Sequence, residues 1–128
     1  MTPTTEEILA WSDHLGDVPP DPNWDEIHKG MHYDREGREI SLRDWAKLHN
    51  VNEYVRVGSD EIGPYWVSTV WIGINHRFLG GAPPLIYETM VFKGDESDLD
   101  CVRYSTLDQA IEGHRRMVEE VRLFAELD

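Results

Sequence analysis

The sequence predicts an α+β fold: an antiparallel sheet of about four strands, a C-terminal helix packed on one face, and one or two short N-terminal helices. Three observations carry this. Two runs of β-branched and aromatic residues, 65–74 and 85–92, flank ten residues rich in Gly and Pro, the pattern of two buried strands joined by a loop. Leu107, Ala110, Ile111, His114, Met117, Val118, Val121 and Phe124 recur at spacings of three and four, the period of an amphipathic helix. Ser41 and Thr106 each precede such a pattern, with Asp44 or Gln109 three residues on, the arrangement of a capping box.

Taken in order, Thr4 or Thr5 caps a first helix running to residue 15, with Glu6 and Glu7 favourably placed in its first turn. Ile8, Trp11 and Leu15 form its narrow apolar stripe. Residues 16–23 (GDVPPDPN) hold three prolines and read as a stiff, extended connector. Residues 1–30 are therefore expected to form an acidic helix and Pro-rich arm ahead of a single domain over residues 31–128. Packing of that arm on its own domain is favoured over a partner, because Trp11 and Trp24 are costly to leave in water.

Residues 31–40 read as a short β-turn unit around Gly37. From Ser41 a helix buries Leu42, Trp45 and Leu48 and stops at Asn50. Residues 51–57 alternate as a first strand, and 58–63 turn the chain. In 65–74 both alternating sets carry large apolar groups: Tyr65, Val67, Thr69 and Trp71 on one side, Trp66, Val70, Ile72 and Ile74 on the other. A strand of this kind is expected to be covered on both faces. The C-terminal helix supplies one cover, and the N-terminal segments or a second copy of the chain supply the other. Residues 101–105 make a fourth strand. Gly113 weakens the last helix by about 1 kcal/mol against Ala and lets it approach the sheet closely.

Composition narrows the classes of function. A chain of 128 residues suits one domain with its own core. A single cysteine, Cys101, excludes an internal disulfide and a Cys-based zinc cluster, and it is expected as a small buried residue. No targeting segment or membrane span is evident, which points to the cytoplasm. With 25 acids against 12 bases the formal net charge is −13, which disfavours direct contact with a nucleic-acid backbone. The acids concentrate in residues 1–30 and in the loop 95–100. Such a surface serves solubility, a basic partner, or mimicry of DNA charge at a DNA-binding site. Acids placed in loops weaken the last of these.

The loop 75–84 (NHRFLGGAPP) is the leading candidate site. It sets His76 and Arg77 beside Gly80 and Gly81 and offers Phe78 and Leu79 as apolar contacts. The competing reading is a long hairpin turn whose Phe78 and Leu79 fold back on the core. Glu88 is a carboxylate inside an apolar strand, expected opposite Trp71 or Ile72, where burial raises a carboxyl pKa toward general acid or base work. His114, the polar member of the last helix's stripe, is its candidate partner. The plainer alternative sends Glu88 to solvent and His114 to a carbonyl. His28 and His32 have an H-x3-H spacing, but Gly30 between them breaks the helix that would align the rings, so no metal is assigned. No Gly-rich phosphate loop and no nucleophile elbow occurs, so no catalytic residue and no cofactor is assigned.

The segments WVSTVWIGINHRF, GGAPPLIYETMVF and RYSTLDQAIEGH resemble a recurring set of small proteins from tailed phages of actinobacteria and related bacterial genomes. The matching positions are 67–76, 81–90, 103–106 and Gly113-His114, with Tyr33-Asp34, Gly37, Ile40-Ser41 and Trp45 similar to the family's opening. The resemblance covers residues 31–118. No activity is established for that family, so it implies a viral setting, the host cytoplasm, and little mechanism. The expectation is a non-catalytic accessory protein that binds a host or phage protein. The alternatives are a small anionic-ligand binder or enzyme with a pocket around His76, Arg77, Glu88 and His114, an acidic DNA mimic, and a homo-oligomer formed through the doubly apolar sheet.

Overall fold

The computed structural model describes residues 2–11, 29–75 and 83–127. A four-stranded antiparallel sheet is its centre, with strands in the order β1 (Arg56–Ile62), β2 (Tyr65–Trp71), β3 (Tyr87–Lys93) and β4 (Glu96–Tyr104). Each strand pairs with its neighbour in sequence. Gly63, at φ +57°, makes the tight turn from β1 to β2, and Gly94, at φ +58°, serves the turn from β3 to β4. Ahead of the sheet lie α1 (Thr5–Trp11), α2 (Leu42–His49) and a single turn α3 (Asn52–Val55); α4 (Leu107–Leu127) follows it.

The capping signals act as the residue types dictate. Ser41 Oγ accepts from the Asp44 amide at 3.1 Å, and Thr106 Oγ1 accepts from the Gln109 amide while Gln109 Oε1 accepts from the Thr106 amide. Thr4, rather than Thr5, caps α1, its hydroxyl accepting from the Glu7 amide. The continuation of that helix toward residue 15, and the Pro-rich connector, lie outside the described residues. Ile8 is fully buried in one cluster with Leu48, Tyr54, Trp71, Ile86, Tyr87 and Ala110, so α1 packs on its own sheet and helices.

Side chains on neighbouring strands share faces in register. Val67, Thr69 and Trp71 of β2 stand beside Val91, Thr89 and Tyr87 of β3, all buried, and α4 crosses this side with Ala110, His114, Met117, Val118 and Val121 turned inward. Full burial of a side chain of this size contributes about 1.5–3 kcal/mol. Ile111 and Phe124 of the expected stripe are more than half exposed, because the sheet is narrower than the apolar arc of the helix. Gly113 lies against the Tyr104 hydroxyl, where a Cβ has no room, which is the close approach its residue type permits.

At the opposite end of the sheet the 31–40 unit turns back on itself through Gly37 (φ +83°) and a Tyr33–Glu39 bridge. The buried Asp34 carboxylate accepts from the amides of Glu36 and Arg38 and from Arg38 Nε at 2.8–3.0 Å. Tyr54 accepts from the Arg35 amide and Tyr87 donates to the Arg35 carbonyl. Burial pushes both phenols up to about 12, which keeps them neutral.

The strand boundaries correct the sequence reading at the first and the fourth strand. The first strand is Arg56–Ile62, not 51–57, and residues 58–63 belong mostly to it. Val51 and Val55 pack with the buried Tyr54 on the core, a spacing that favours a helical turn before the strand. Residues 95–100 likewise fall largely within β4. The expected double cover of the sheet is half met: α4 covers one face, and among the described residues no helix lies on the other.

Candidate functional site

The face away from α4 takes alternate residues of every strand. Trp66, Ser68 and Val70 of β2 stand beside Phe92, Met90 and Glu88 of β3, flanked by Arg56, Ser59 and Glu61 of β1 and by Cys101 and Arg103 of β4. The Trp66 and Phe92 rings stack with centroids 4.8 Å apart, and Trp66 Nε1 donates to Ser59 Oγ at 2.8 Å. Trp66 is 39% exposed although it lies on a central strand. Toward the other end, Arg103 Nε meets the Glu88 carboxylate at 3.0 Å. Arg56 and Arg103 offset Glu61 and Glu88, so the face is locally balanced on a protein of net charge −13.

The structure separates the expected Glu88–His114 pair. Glu88 lies opposite Val70 on the open face, while His114 reaches the sheet from α4 on the other. A pairing across the pleat is excluded because neighbouring residues of a strand point to opposite sides. His76, Arg77, Phe78 and Leu79 lie outside the described residues. Cys101 is exposed on the open face and not buried, because β4 is an edge strand and this position faces away from α4.

His114 joins a chain of polar groups beneath α4. Its Nε2 donates to Asp60 Oδ2 at 2.6 Å, and its Nδ1 is hydrogen-bonded to Thr69 Oγ1 at 2.7 Å. The Thr69 hydroxyl is in turn hydrogen-bonded to that of Thr89. The order resembles an acid–histidine–hydroxyl triad, but both threonines are fully buried and no substrate reaches them. The chain satisfies polar groups in the core and fixes α4 on the sheet.

A second histidine sits in a row of rings. His49 lies between Trp45 and Trp71, with centroid distances of 4.2 and 4.8 Å, and its Nε2 donates to the Ile72 carbonyl, which also accepts from Trp45 Nε1. Burial pulls the His49 pKa below 6.5, against a smaller opposing effect of the carbonyl. The unfolded chain therefore binds the proton more readily, and stability falls as pH drops below about 6.5. In His49→Gln this component is absent, so the stability gap between wild type and variant is expected to narrow from about pH 7 to about pH 5, by at most about 1.4 kcal/mol per pH unit. Urea unfolding across that range checks it; a constant gap would show His49 to titrate alike in both states.

The sequence reading missed Trp66, Phe92 and Arg103 as site residues. The signal for Trp66 was the second apolar set of residues 65–74, whose cover could not be named from the sequence, while Phe92 and Arg103 reach this face through the register of β3 and β4. Among the described residues no group of three or more His, Cys, Asp or Glu side chains is placed to hold a metal ion, and no helix is long and apolar enough to cross a membrane. The chain matches no protein-family model, no curated protein and no solved structure.

Proposed function

We propose that the protein is a non-catalytic accessory module that binds another protein through the open face of its sheet. The observation that supports this reading is the stacked Trp66–Phe92 pair, set at one end of a face that no described helix covers. Exposed aromatic residues with charged groups beside them are enriched in protein contacts. With Arg103 and Glu88 paired to each other, Arg56 and Glu61 fit a partner surface that carries an apolar patch beside one acidic and one basic group. The resemblance noted above suggests a host or phage protein as that partner and the host cytoplasm as the setting. Phe78 and Leu79 are proposed to add apolar contacts from the 75–84 loop.

The test pairs wild type with Trp66→Ala/Phe92→Ala. Wild type is used to capture partners from host lysate, and each captured protein is purified and titrated against both forms by calorimetry. The double variant is expected to keep its circular dichroism spectrum and to lose about 2 kcal/mol of binding, roughly thirty-fold in affinity. Equal affinity of the two forms for every captured protein would sink the open-face reading.

A further inference from the structure

On the opposite side of the sheet, a groove of about 450 Å³ runs between α4 and β4. Its floor is Val102, Tyr104 and Met117, and its rim carries Asp100, Glu112 and Glu120. Val102 is 38% exposed, an apolar side chain at the margin of a packed face. The groove exists because α4 lies toward β1, β2 and β3 and leaves the β4 margin uncovered. β4 is also the last strand of the sheet, so its outer edge meets no other described strand. A strand edge beside a helix, with an apolar floor between them, is the geometry that accepts an added strand: main-chain bonds hold the peptide, and alternate side chains enter the groove.

We propose that this groove binds an extended, basic segment of a partner protein as a fifth strand against β4. Every second side chain of such a strand falls on the groove side. The residue facing Val102 is then a branched aliphatic, filling the floor between Tyr104 and Met117, and the residue facing Asp100 is Lys or Arg, an opposite-charge pair across strands. Glu112 and Glu120 flank the same groove from α4. Arg116 also lines it, and Glu112 is held by both Arg115 and Arg116, which leaves Asp100 and Glu120 as the acids that meet a basic strand. The Asp100 carboxylate at present accepts from its neighbour's amide, that of Cys101, at 2.9 Å, a bond that a basic side chain on the added strand replaces. The same charges disfavour a second copy of this chain at that edge, since pairing β4 with β4 sets two acidic rims together. The site is independent of the open face, so either reading stands if the other fails.

The probe is an acetylated, amidated Ser-Lys-Thr-Val-Thr-Lys-Ser peptide, titrated into the full ¹⁵N-labelled chain at low and high salt. The control is the same peptide N-methylated at every internal residue, which keeps its charge but has no internal amide N–H with which to pair with a strand edge from either side. The expected result is amide shifts concentrated in residues 100–104 and 109–120, with binding weakened at least about tenfold by N-methylation and by Val102→Lys. Equal binding of the N-methylated peptide would reduce the interaction to charge alone and overturn the proposal. So would shifts centred elsewhere, no binding, or concentration-dependent self-association at β4 without peptide. The N-methylated control decides the matter on wild-type protein even where Val102→Lys perturbs the fold.

Discussion

Trp71→Ala is expected to lower the free energy of unfolding by about 3–5 kcal/mol, a large part of the 5–15 kcal/mol that a domain of this kind possesses. Trp71 is fully buried, meets Tyr54 edge-on with centroids 4.9 Å apart, and stacks near His49 at 4.8 Å. Its Nε1 donates to the Tyr33 carbonyl at 3.1 Å, so the ring ties the 31–40 turn to the sheet. Truncation leaves a cavity among aromatic neighbours that are each held by hydrogen bonds of their own, and such a wall collapses little. Trp66→Ala, on the same strand but one face over, is expected to cost only about 1 kcal/mol. Equilibrium urea unfolding, followed in both the far and near ultraviolet, compares the two. A loss below about 1 kcal/mol for Trp71→Ala would place the core elsewhere.

Gly58→Ala is expected to destabilise by about 1–3 kcal/mol, with the opposite sign to the ordinary effect of replacing glycine in a strand. A Cβ at position 58 would stand 2.8 Å from the His114 ring. The ring has nowhere to retreat, because Asp60 holds one nitrogen and Thr69 the other. The companion measurement is a double-mutant cycle with His114→Ala, which removes the obstructing ring. The two substitutions are expected to couple by about 0.5–3 kcal/mol, the double variant being more stable than the sum of the singles. Strict additivity would mean that Gly58 owes its place to something other than His114.

These two positions also show what the sequence could and could not convey. The last helix and the capped helix after Ser41 were legible because their signals are local: a period, a cap and a stop within one segment. The first strand was displaced because Gly58 reads locally as a turn, while its reason lies 56 residues away on α4, in the ring it must accommodate. The alternation of residues 65–74 revealed two apolar faces but not which would stay open, since that depends on where α4 crosses the sheet. Of the candidate site, His114 was noticeable as the polar member of an apolar stripe. Its partners were not, because Asp60 and Thr69 meet it only through the register of β1 and β2. Glu88 was recognised as unusual, and its pairing with Arg103 rests on the β3–β4 register.

The pleat of β2 has a consequence for how this protein changes over generations. Val67, Thr69 and Trp71 are fully buried under α4, while Trp66, Ser68 and Val70 between them face the open side. Adjacent codons of one short strand therefore answer to different selection. Half of them are held by the packing that keeps the domain folded, and the other half are free to drift or adapt at small cost in stability. Substitutions on the open face can therefore accumulate one at a time without first requiring a more stable scaffold.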